Sequence, residues 1–284
     1  MGNVKMRVWD VKHGNAIYVK TPNNKNLVYD LGRGDYSEKS DDRSPLETLY
    51  DHYNIRTIDY LMITHPHRDH IDDILNLDKF VVSSLHRPRF LDKASVMQSI
   101  SERDRLKFEK YFEFDERYNA DASDSTTISN SENYGGLRIK VFQTSNLNNN
   151  LNNRSLFSVL IYKGIKVIIP GDNEYESLDL LMKRDDFRDA VKNAHVLIAP
   201  HHGRESAYHT DFVKLVNPLL TIISDGSLCD TSANSKYSAM SQGYNVYKNG
   251  EFINRKLLTT NSDGEVYIDF GESGGKLYLN IKIK

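Results

Sequence analysis

The chain has 284 residues, 39% hydrophobic and 27% charged, with 37 Lys and Arg against 39 Asp and Glu. That length can bury a full core in one domain, 1–284. The charge balance excludes a global positive field that recruits nucleic acid, and the composition is too polar for a membrane protein. No run approaches the roughly 18 apolar residues of a spanning helix, and the opening Met1-Gly2-Asn3-Val4-Lys5-Met6 lacks a signal-peptide core. A soluble, cytoplasmic protein with no membrane partner is expected, and no feature indicates a protein partner. Cys229 is the single cysteine, so no internal disulfide forms and stability must come from packing, metal or both.

In chain order, short strands at 6–9, 16–20 and 26–30 predict an antiparallel meander, the last two joined at Pro22-Asn23-Asn24. A helix at 46–53 leads into Ile58-Asp59-Tyr60-Leu61-Met62-Ile63-Thr64, a largely buried strand that ends at His65. Apolar positions 71, 74, 75, 77 and 80 recur at helical spacing and predict a short helix next. Residues 98–118 are charged and helix-prone and 119–135 are rich in Asp, Ser, Thr and Asn, so 87–135 is expected as a helical and loop insertion over one edge. Strands follow at 137–143, 155–162 and 166–170, then a helix at 175–192, a strand at 195–199 and a helix at 211–216. The last strands are expected at 219–224, 244–247, 257–260, 265–270 and 276–283. The asparagine-rich tract 146–153 is expected as a loop. This order predicts an α+β fold of two sheets packed face to face with helices outside, four layers in all. The densest basic stretch, with Arg87, Arg89, Lys93, Arg103, Arg105, Lys107 and Lys110, is the local candidate for a nucleic-acid surface. Its alternative is a solvated helix face.

The chemistry concentrates in His65-Pro66-His67-Arg68-Asp69-His70. His65 and His67 lie two apart on extended backbone, so both imidazoles project the same way and can share one cation. Asp69 and His70 follow the turn and can face a second cation. Ile168-Ile169-Pro170-Gly171-Asp172-Asn173 puts a carboxylate just past a buried strand, where one Asp can bridge two metals. Val196-Leu197-Ile198-Ala199-Pro200-His201-His202-Gly203 repeats the arrangement with imidazoles.

Together His65-x-His67-x-Asp69-His70, Gly171-Asp172 and Pro200-His201-His202-Gly203 resemble the metallo-β-lactamase superfamily, in its competence-protein-like branch, which includes the hydrolase-like domain of the DNA-uptake channel. Further matching pieces are Gly14-Asn15-Ala16, Leu27-Val28-Tyr29-Asp30-Leu31-Gly32, Asn152-Asn153-Arg154-Ser155 and Thr260-Asn261-Ser262-Asp263-Gly264. The resemblance implies a four-layer αββα sandwich and two divalent metal ions, zinc or manganese by donor type. His65, His67 and Asp172 would hold one ion; Asp69, His70, Asp172 and His202 would hold the other. His202, directly before Gly203, is favoured as the ligand, which leaves His201 to contact substrate or act as an acid; the reverse is the alternative. Where many members carry another metal-binding histidine, this chain offers only Asn152 or Asn153. His13 stands where relatives have a glutamine, either near the metals or at the surface, and Asp30 is a candidate supporting residue.

The implied chemistry is hydrolysis by a metal-bound hydroxide, with Asp69 orienting it as well as binding metal. The branch is linked to nucleic acid, so a phosphodiesterase or nuclease acting on a nucleic acid or nucleotide is expected. The alternatives are an esterase or lactonase, and a metal-stabilised interaction module without turnover.

Overall fold

Alternation along Val4–Val8 sets the first sheet: Val4, Met6 and Val8 are buried while Lys5 is exposed. The structure, a computed structural model, describes residues 2–33, 44–89, 91–144, 150–225 and 229–284. Val4–Val8, Ile17–Lys20 and Asn26–Tyr29 form the expected antiparallel meander. Tyr60–Met62 joins Asn26–Tyr29 in parallel, and Leu85–His86 extends that edge. On the other side Val266–Ser273, Lys276–Ile283, Tyr244–Lys248 and Glu251–Arg255 complete a nine-stranded sheet.

The second sheet has six strands. Ile165–Ile169, Val196–Ile198, Leu220–Ile223 and Leu257–Thr259 run parallel, and Phe157–Tyr162 and Arg138–Phe142 are added antiparallel. Its central strands are continuous apolar runs because helices cover one face and the first sheet covers the other.

Between the sheets Val8, Ile17, Leu27, Tyr29 and Met62 meet Leu160, Val167, Ile169, Val196 and Ile222. The opposite face of the first sheet carries Val28, Leu61 and Ile63 under Ile71, Ile74, Leu77, Phe108 and Phe112. The second sheet turns Phe157, Ile168 and Leu197 toward Leu178, Leu181, Phe187, Phe212 and Tyr237. Each such side chain contributes about 1.5–3 kcal/mol on burial, against roughly 0–1 kcal/mol for an exposed ion pair, so these three seams hold the molecule. Helices, sheet, sheet and helices make the α+β, four-layer αββα sandwich that the sequence predicts.

Several elements differ from expectation. The strand expected at 58–64 is divided: Thr57–Ile58 pairs with Val81–Val82 in a separate ribbon. Between the two parts Asp59 accepts from Asn26 N and Lys25 Nζ, both at 2.8 Å. The helix expected at 175–192 is two, Tyr175–Met182 and Asp185–Val191, broken where Arg184 takes φ −92° and ψ 129° and its guanidinium holds Asp186. Within 98–118 the helix is Arg105–Arg117, preceded by Lys93–Gln98, and it sends Phe108, Tyr111, Phe112 and Phe114 into the outer layer. The helix expected after the histidine motif is Arg68–Ile71 followed by a tighter turn, Ile74–Lys79. Residues 146–149 of the asparagine tract lie outside the described residues, and Asn152–Arg154 is a single helical turn. Glu251–Arg255 and the helix Asn234–Met240 were not foreseen, although Asn249-Gly250 carries a strong hairpin-turn signal.

The basic stretch is charge-compensated. Arg87 pairs with Asp115 at 2.6 Å, Lys93 with Glu116 at 3.0 Å, Arg105 with Glu102 at 3.0 Å, Lys107 with Asp72, and Lys110 with Asp78 at 2.6 Å. These ion pairs are what the solvated-face alternative expects. Among the described residues no helix is long and apolar enough to cross a membrane.

Candidate metal centre

Three parallel strands stop at one edge of the sandwich, and the segments after them carry the site: Tyr60–Met62 before the histidine motif, Ile165–Ile169 before Asp172, and Val196–Ile198 before the paired histidines. Backbone bonds clamp them, Leu156 N to Thr64 O at 3.0 Å and His201 N to Gly171 O at 3.2 Å. Gly171 has φ +59°, and a Cβ there would lie 2.8 Å from Thr64 Cβ, so only glycine lets the Asp172 turn close against the motif. Gly14 does the same at the opening turn, where a Cβ would meet Asp69 O at 2.7 Å.

His201, His202 and Gly203 have φ of +46°, +52° and +72°, three left-handed residues in succession. For each L residue that conformation costs roughly 1–2 kcal/mol, strain of the kind that collects at functional sites. The turn separates two neighbouring imidazoles, sending His202 toward Asp69 and His201 toward Glu174.

Asp69, His70, Asp172 and His202 each present one donor atom, all within 4.8 Å of one another. Asp172 Oδ1 lies 3.2 Å from His70 Nε2, while its Oδ2 lies 3.4 Å from His202 Nε2 and 3.7 Å from His65 Nε2. His65 Nε2 also faces His67 Nδ1 at 2.9 Å. His70 donates from Nδ1 to Asp30 Oδ2 at 2.8 Å, and His202 from Nδ1 to the Ser224 carbonyl at 2.8 Å. Both therefore turn Nε2 inward, the orientation that such partners on Nδ1 impose on a metal-bound imidazole.

Electrostatics agree with a cation site. Burial and the charge of His70 hold His65 well below the usual imidazole range. Burial also lowers His67, so both lone pairs are available. For His70 and His202 burial acts downward, but the carboxylates led by Asp172 outweigh it. His70 is held well above its ordinary value and His202 is pushed up to about 10. Burial likewise disfavours ionised Asp69, yet the charge of His70 and the hydrogen bond and charge of His202 hold its carboxyl far below the usual range. Asp69 and Asp172 thus hold negative charge in a largely buried place, which needs compensating positive charge beside it. The donor set of imidazoles and carboxylates suits a divalent metal.

No protein-family model matches the chain, and no curated protein matches it by sequence. Among solved structures it is similar to a single-substitution mutant of CmlA beta-hydroxylase, at 14% identity and TM-score 0.47, with 79% of this chain and 46% of that one covered. It is similar also to a long form RNase Z from yeast, at 10% identity and TM-score 0.40, with 93% and 42% covered. The chain spans less than half the length of either. Both likenesses are too distant to bear on activity, which rests on the site itself.

All six sequence-derived ligand candidates meet here, and three further candidates are adjacent. Asp30 stands behind His70. His13 lies beside His202, ring centroids 4.5 Å apart, with Nδ1 on Asp225 Oδ1 at 2.7 Å and Nε2 3.6 Å from Asp69 Oδ2. His201 approaches Asp172 Oδ2 at 3.9 Å. Asn152 and Asn153 instead hold Glu174, through Asn152 Nδ2 to Oε1 at 3.3 Å and Glu174 N to Asn153 Oδ1 at 3.0 Å. Sequence reasoning missed Glu174, Thr64 and Asp225. The signals were an acid two residues past Asp172 and another at the end of Leu220–Ile223.

Proposed function

We propose that the chain is a dinuclear metal-dependent hydrolase, with His65, His67 and Asp172 holding one divalent cation and Asp69, His70, Asp172 and His202 holding the other. The observation that carries this reading is Asp172. Its one buried carboxylate faces donors of both sets, His65 at 3.7 Å and His70 at 3.2 Å. A bound pair of such ions polarises a phosphoryl or carbonyl oxygen and lowers the pKa of water to about 7.

The chain's own groups do the rest. The side chain of Asp69 is 14% exposed and that of Asp172 5%, so Asp69 is the carboxylate that meets solvent and is placed to orient water. His13 Nε2 stands at the same open side and faces the incoming substrate. Asp30 and the Ser224 carbonyl hold His70 and His202 in place.

For the substrate we favour a phosphodiester, in a nucleic acid or nucleotide, on the strength of the branch the motifs resemble. A carboxylic ester or lactone is the second reading, supported by the ion pairs that neutralise the basic stretch. Protein reconstituted with zinc or manganese is assayed on bis-p-nitrophenyl phosphate, single-stranded DNA and p-nitrophenyl acetate. Turnover of the phosphodiesters supports the first reading, and turnover of the acetate alone replaces it with the second. No turnover at full metal loading contradicts a hydrolase.

A further inference from the structure

We infer that His201 is an additional imidazole ligand of the cation held by His65 and His67, and that Glu174 positions it; the inference rests on the dinuclear reading above. The two cation sites are unequally supplied. The second has Asp69, His70 and His202 besides the shared Asp172, whereas the first has only His65 and His67 besides it.

His201 has the orientation of a ligand. Its Nδ1 lies 3.1 Å from Glu174 Oε1 and 3.3 Å from Ser206 Oγ, on the side of the ring away from the cluster, as the Nδ1 of His70 faces Asp30 and that of His202 the Ser224 carbonyl. Its Nε2 is then directed to Asp172 Oδ2 at 3.9 Å, close to the 3.7 Å by which His65 Nε2 approaches the same oxygen. It lies outside the tight group of Asp69, His70, Asp172 and His202, and the oxygen it approaches is one that His65 faces, which associates it with the first cation.

Glu174 is itself held from several sides. Asn150 Nδ2 donates to Oε2 at 2.8 Å, and Asn152 Nδ2 and Ser206 Oγ to Oε1 at 3.3 Å each. Its backbone N donates to Asn153 Oδ1 at 3.0 Å. A carboxylate fixed this way, with an imidazole on it aimed at a metal cluster, is the arrangement that orients a first-row metal ligand. The asparagines therefore reach the cluster through Glu174 and His201.

The test is a cobalt(II) titration followed by visible absorption, on the wild-type chain, His201→Gly and Glu174→Gln. Glycine accepts the left-handed backbone at position 201 and leaves room for imidazole. Two cobalt ions are expected for the wild type. His201→Gly should weaken one of them by at least about tenfold, change its spectrum, and regain both on addition of imidazole; Glu174→Gln should weaken the same ion by about 10–100-fold. Circular dichroism verifies the fold, and Glu174→Gln reads the same site should His201→Gly not fold. Unchanged affinities and spectrum in a folded His201→Gly chain overturn the inference and leave the dinuclear reading standing. A wild-type chain that takes up no cobalt removes both.

Discussion

Asp30 is fully buried at φ +55°, and its carboxylate accepts from Asn15 Nδ2, Thr64 N, Thr64 Oγ1 and His70 Nδ1. Asp30→Asn turns one acceptor into a donor facing donors. Zinc affinity should fall by about 10–100-fold, read by competition with a chelator, and an unchanged affinity would show that His70 needs no such support. Protons compete with the metal at His202, whose value near 10 is set by burial acting downward and the charge of Asp172 acting upward more strongly. At neutral pH the metal-free imidazole is charged, so uptake must release a proton. Apparent affinity should rise about tenfold per pH unit for each proton displaced, until pH passes that range. Calorimetric heats that do not vary with the ionisation enthalpy of the buffer would contradict this. The same shift lends the metal-free fold stability that is full below the ordinary histidine value and is lost as pH climbs toward 10. At this scale the candidate ligands were legible because imidazoles and carboxylates cluster at three strand ends. Glu174 and Asp225 were not, since a single acid in a loop carries no spacing signature.

The helix Arg105–Arg117 shows how much one element depends on its apolar stripe. Phe108, Tyr111, Phe112 and Phe114 are buried, while Leu106 is 66% exposed. Phe108→Ala should destabilise by about 3–5 kcal/mol and Leu106→Ala by less than about 0.5 kcal/mol, measured by urea unfolding. Equal effects would mean that the helix is not docked as described. Asp73 joins two other elements: its carboxylate accepts from Leu46 N at 2.9 Å and from Asn76 Nδ2 at 2.8 Å. Burial raises it to about 7 against those hydrogen bonds. The fold therefore favours its neutral form, and its contribution to stability declines as pH rises from the usual carboxylate range to about 7. Relative to wild type, Asp73→Asn should gain stability between pH 5 and 8 in thermal melts; a constant difference would refute the assignment. Periodicity located these helices, but the breaks at Arg184 and Asp59 depend on side-chain bonds that periodicity does not contain.

Across the whole molecule, the order of strands and helices was enough to place two sheets face to face, because each sheet had to be covered by the other on one side and by helices on the other. Sheet order was not legible. Tyr247 of Tyr244–Lys248 pairs in parallel with Lys282 of Lys276–Ile283 although some 30 residues separate the two strands, and nothing local in either strand records that pairing. The ion pairs of the basic stretch were not legible for a related reason: its partners Asp72, Asp78 and Asp115 come from other elements or another turn. Convergence of the strand ends is the property of the fold that creates the centre, and Asp172 is where it is tested most directly. Divalent ions per chain are counted by elemental analysis on wild type, Asp172→Ala and His202→Ala, each confirmed folded by circular dichroism. Two ions are expected in the wild type, a weakened second ion in His202→Ala, and neither retained tightly in Asp172→Ala, where the two cations lose the carboxylate between them. A folded Asp172→Ala chain that keeps two ions would contradict the bridged centre.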